Sequence, residues 1–192
     1  MHKYREIVSK LQTKGVLFEL GMSSSEIAEI EKLYDIYFPS ELKGLYSVGL
    51  PVSSGFYNWR DVSVDNVECI KKTLKRPILG LQTELENDFG GDGFPHDDFW
   101  YDGWGDKPNN FNQAYKILLT HYNNAPKLIP IYGHRYMPFI QNSEEAPVFS
   151  IIGSDIIYYG ENLISYLETE FKLREYNNDM KCQHIDFWSD LL

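Results

Sequence analysis

Two glycine-led pairs late in the chain do most to limit its fold. Residues 128–132 and 135–140 flank Gly133-His134, and residues 148–152 and 155–159 flank Gly153-Ser154. Apolar, β-branched and aromatic runs separated by two residues, the first a glycine free to take φ > 0, predict antiparallel hairpins closed by type II′ turns. A sheet of hairpins leaves the earlier residues to cover it, and their apolar residues repeat with the period of a helix.

Tyr4, Ile7, Val8 and Leu11 lie at i, i+3, i+4 and i+7, which predicts a first helix ended by Gly15. Ser23 with Glu26 three residues on is a capping box, and Ile27, Ile30, Leu33 and Tyr34 supply the apolar face behind it. Pro39 opens a short helix through Leu42, Leu45 and Tyr46 that stops at Gly49 and Pro51. Val67, Ile70 and Leu74 predict a helix broken at Pro77, with helical spacing resuming through Ile78, Leu81 and Leu85 despite Gly80. Residues 90–110 hold five Gly and two Pro and read as an irregular ordered loop. Helices follow at residues 111–119 and 163–171, and the tail closes with Ile185, Phe187, Trp188 and Leu191. Helices first and strands later, without βαβ alternation, predict one α+β domain over residues 1–192: an antiparallel sheet with helices packed on it. At 192 residues, 43% of them hydrophobic, one core burying roughly 70% of the unfolded surface is the expectation.

The net charge is −10. Eight acids, Glu84, Glu86, Asp88, Asp92, Asp97, Asp98, Asp102 and Asp106, fall between Arg76 and Lys107 with no basic residue among them, which leaves 20 acids against 18 bases elsewhere. Nearly all the excess charge sits in one stretch. Such a chain repels phosphate backbones, so direct nucleic-acid binding is not expected. No run of 18 apolar residues predicts a membrane span, and residues 1–14 lack the form of a secretory signal, so a cytoplasmic protein is expected. Cys69 and Cys182, far apart, read as two reduced, buried thiols.

Signatures of catalysis are absent. There is no Gly-Lys pair for a phosphate loop, no Gly-x-Ser-x-Gly and no His-Glu-x-x-His. Asp98, Asp102 and Gly103 match positions 1, 5 and 6 of a calcium loop, but Trp100 and Asn109 stand where an oxygen ligand and a bidentate Glu are required. Neither metal nor cofactor is expected. His96 beside Asp97 and Asp98 could serve a metal-dependent hydrolase as a general base with an orienting carboxylate, although a His in a Gly/Asp loop is ordinarily solvated. His134 is explained by its turn, and His121 and His184 lack patterned partners. Phe56, Tyr57, Trp59, Phe94, Phe99, Trp100, Tyr101 and Trp104 surround the acidic stretch. Such rings anchor a long loop or supply contact area to a partner, and both hold if rings face in and aspartates face out.

The order of several segments carries a family likeness. These are 23–38 with Pro39, Tyr57-Asn58-Trp59-Arg60-Asp61, Phe99-Trp100 with Trp104-Gly105 and Pro108, residues 125–136, 147–151, 155–159 and Phe187-Trp188. In that order the chain resembles the SUKH superfamily, shared by yeast regulators of cell-wall synthesis and many bacterial immunity proteins. The resemblance implies an α+β domain without an established active site, often encoded beside a polymorphic toxin that it neutralises by tight binding; many such toxins are nucleases. A basic nuclease cleft would suit an acidic loop that mimics a phosphate backbone. The expected function is thus non-enzymatic binding of a cognate basic toxin through Asp92, Asp97, Asp98, Trp100, Asp102, Trp104 and Asp106. An intracellular scaffold of wall synthesis and a hydrolase built on His96 are the alternatives.

Overall fold

Gly133 and Gly153 take φ of 54° and 61°, and neither His134 nor Ser154 has a positive φ, the pattern of a type II′ turn. The hairpins they close set the frame. The computed structural model describes residues 2–90, 99–177 and 179–192. Along them run α1 (His2–Thr13), β1 (Phe18–Leu20), α2 (Ser24–Tyr34), α3 (Ser40–Val48), β2 (Gly49–Pro51) and α4 (Val64–Asp88), followed by α5 (Phe111–Tyr122), β3 (Leu128–Tyr132), β4 (Arg135–Pro138), β5 (Val148–Ile152), β6 (Asp155–Gly160) and α6 (Leu163–Glu170). The fold is α+β, with the last four strands joined as an antiparallel meander in the order β3-β4-β5-β6.

Alternation along the strands sends side chains to both faces of this sheet, and both faces are covered. Ile129, Ile131, Met137 and Val148 join a core with Leu11 of α1, Ile30 of α2, Leu45 of α3 and Leu167 of α6. Their strand neighbours Leu128, Tyr136, Phe149 and Ile151 join another with Leu81 and Leu85 of α4, Leu118 of α5 and Trp188 of the tail. Two-sided cover explains why β3 reads Leu-Ile-Pro-Ile with every one of these residues buried.

The first helices follow their sequence signals. Ser23 Oγ accepts from the Glu26 backbone N–H, and the Glu26 carboxylate accepts from the Ser23 N–H. The motif 57–61 is structural. Trp59, fully buried, donates through its indole N–H to Tyr46 Oη at 3.1 Å. Arg60 pairs with Glu19 at 2.8 Å and Glu26 at 3.0 Å and donates to the carbonyls of Leu20 and Gly21, tying β1 to the start of α2.

Three expectations are corrected. The helix expected to break at Pro77 is instead one α-helix of 25 residues, α4, with Pro77 inside it; the carbonyl that proline deprives of a donor is supplied from the sheet. Strands β1 and β2, absent from the sequence reading, pair Phe18 with Pro51 and Leu20 with Gly49; three residues each are too few to show a period. The thiols are not both buried: Cys69 is exposed and Cys182 half-buried. The first turns of α4 run past the core, so Val64, Asp65, Glu68 and Cys69 all face solvent and Ile70 is the first residue there to be buried.

Candidate partner-binding surface

The acidic stretch begins on α4, and one of its own carboxylates fixes the described segment 99–107. Asp88, in the last turn of α4, has a side chain only 2% exposed, and its Oδ2 accepts from the Phe99 backbone N–H at 2.7 Å and from Lys107 Nζ at 3.0 Å. One buried oxygen therefore holds residues from both ends of the described segment 99–107. Lys107 Nζ also lies 5.2 Å from the centre of the Phe89 ring, which meets Phe111 at the start of α5. Beyond it, Asn110 Oδ1 accepts from the Gln113 N–H and caps α5.

Within the segment the backbone folds into a single 3₁₀ turn, Asp102–Trp104. The Trp104 N–H donates to the Tyr101 carbonyl, the Gly105 N–H to the Asp102 carbonyl, and the Trp100 indole N–H to the Gly105 carbonyl at 2.7 Å. Gly105 sits at φ 85°, a conformation that keeps the carbonyl within reach at little cost for glycine. Trp104 is the hub. Phe99, Trp100 and Tyr101 meet it edge-on, and it stacks on His121 of α5 at 5.6 Å and on Phe187 of the tail at 5.9 Å.

The tail is pinned in turn. Trp188 donates its indole N–H to the Pro126 carbonyl at 2.8 Å, the Phe187 N–H donates to Asp190 Oδ2 at 2.9 Å, and His184 Nε2 lies 3.1 Å from Asp190 Oδ1. Between segment, helix end and tail opens a cleft of about 350 Å³, lined among others by Tyr101, Trp104, His121, Phe187, Asp186 and Asp190. His121 and His184, which lacked partners in the sequence, are thus a stacking platform and a carboxylate partner.

Of the residues singled out from sequence, Trp100 and Trp104 are half-buried rings that anchor the segment, while Asp102 and Asp106 are exposed on it. Asp92, Asp97 and Asp98, and with them His96, lie outside the described residues. The tail contribution was missed: Asp186, with its side chain 96% exposed, and Asp190 add negative charge beside the Trp104 hub. Its signal in the sequence is the pair of acids, Asp186 and Asp190, around Phe187-Trp188. No group of three His, Cys, Asp or Glu among the described residues is placed to hold a metal ion. What the arrangement offers is fixed negative charge on a rigid aromatic base, suited to cationic groups of a partner. Compared with models of known families, with curated proteins and with solved structures, the chain matches none.

Proposed function

We propose that this chain is a non-enzymatic protein-binding domain, an immunity protein of the SUKH type that neutralises a cognate basic, nuclease-like toxin. The observation that carries the reading is the buried Asp88 fixing both ends of segment 99–107, so that Asp102 and Asp106 are exposed on a surface already ordered before binding. Preorganisation lowers the entropy cost of association, and fixed negative charge speeds encounter with a basic surface. The order of motifs, which resembles that of the SUKH superfamily, and the concentration of charge between Arg76 and Lys107 support the same reading.

Recovery of the tagged chain from its own host, followed by mass spectrometry, tests it. The expected result is a stoichiometric partner with a basic toxin domain whose activity stops on adding one equivalent of this chain. Recovery of wall-synthesis enzymes would replace it with the scaffold reading, and recovery of no basic protein would overturn it.

A further inference from the structure

The acidic stretch has a basic counterpart earlier on the same helix. Lys71, Lys72, Lys75 and Arg76 put four cations within six residues of α4, and no described carboxylate pairs with any of them. Lys72, Arg76, Leu79 and Thr83 follow i, i+4, i+7 and i+11, one stripe of about 16 Å along the helix. Facing it are the tips of the two hairpins, His134 from one and Ile152-Gly153 from the other.

Helix and tips meet closely at one point. Gly80 lies against the turn, where a Cβ added to it would stand 3.0 Å from Gly153 Cα. Around this contact runs a groove of about 600 Å³ lined by the apolar Leu79, Ile151 and Ile152 and by Lys72, Arg76 and His134. Leu79 is 51% exposed and Ile152 58%, large apolar side chains left in solvent beside cations that no described carboxylate neutralises.

We infer that this groove is a second docking surface, for a short acidic segment of a partner protein that carries a large apolar side chain. Charge complementarity sets the sign: the carboxylates would meet Lys72 and Arg76, and the apolar residue would cover Leu79 and Ile152. Glu84, whose carboxylate lies close against Gly153, repels a peptide laid further along. A stripe of 16 Å takes about five residues of extended chain. Nucleic acid fits less well, because no Phe, Tyr or Trp lines the groove for stacking and the whole chain carries −10. The groove is separate from the Trp104 cleft, so this inference does not rest on the toxin reading.

Panning randomised seven-residue displayed peptides on the full chain, in parallel with the Lys72→Glu/Arg76→Glu and Ile152→Asp variants, tests it. All three positions are exposed, so circular dichroism of the variants should match the parent. The expected outcome is enrichment of peptides combining acids with Leu, Ile or Phe, at least ten-fold over either variant. No enrichment, enrichment of neutral or basic peptides, or equal retention by the variants would overturn it. So would a single-stranded oligonucleotide that binds the parent, fails on the double charge reversal and ignores Ile152→Asp.

Discussion

The phenol of Tyr136, in the middle of the sheet, donates to the main-chain carbonyl of Thr73 at 3.3 Å, in a buried site. Thr73 is the residue four before Pro77, so its carbonyl is the one that proline leaves without a helical donor. The sheet repairs the helix, and α4 stays continuous from the basic stripe to Asp88. Tyr136→Phe should therefore cost about 1–3 kcal/mol, the penalty of a buried unsatisfied carbonyl. Pro77→Ala restores the helical donor and should shrink that cost, and a double-mutant cycle by urea denaturation measures the difference.

Asp88 gives the next expectation. Asp88→Ala removes the acceptor shared by Lys107 and the Phe99 N–H, leaving that amide without its partner, and should destabilise the protein by about 1–3 kcal/mol. Thermal unfolding measures the loss. Hydrogen exchange should show faster amide exchange at residues 99–105 than in the parent at equal distance from its unfolding midpoint.

Stability should also depend on pH through Glu41. This carboxyl is 1% exposed in α3, with Oε2 accepting from the Ala146 N–H at 3.1 Å. Burial pushes it up from 4.5 to about 7, with Glu145 adding to the rise and Lys3 opposing it. The folded protein holds this proton more tightly than the unfolded chain, so the contribution is complete below 4.5 and is lost as pH rises through 7. The loss is at most about 3 kcal/mol. Glu41→Gln keeps an acceptor for Ala146 and cannot ionise, so it should flatten the decline and raise the urea midpoint at about pH 8.

Gly80→Ala tests the contact of helix and hairpin. An alanine inside a helix ordinarily gains about 1 kcal/mol over glycine. Here its methyl would stand 3.0 Å from Gly153 Cα and 3.2 Å from Gly153 N, so the variant should lower the melting temperature despite its better helix propensity.

Much of the fold was legible because its signals are local. The Ser23 and Glu26 box, the stripe Tyr4-Ile7-Val8-Leu11 and the two glycine turns each act within a few residues, and each forms as read. What escaped depends on distant partners. Pro77 looked like a stop because the donor that makes it tolerable lies on a strand 63 residues from Thr73. Strand β1 exists through β2, more than 30 residues on, and Asp88 looked like one more surface acid until Lys107 and Phe99 closed on it. The candidate surface was legible as charge and rings. Its tail half was not, because Asp186 and Asp190 join it only when Phe187 stacks on Trp104.

The most direct test of the central claim is the rate at which the recovered basic partner associates with this chain, measured by stopped flow across a range of salt. Asp102→Lys/Asp106→Lys, at exposed positions, should leave the circular dichroism unchanged and slow association at low salt by ten-fold or more, with a shallower dependence on ionic strength. Equal rates and equal salt slopes for parent and variant would contradict the claim that this acidic surface guides the partner in.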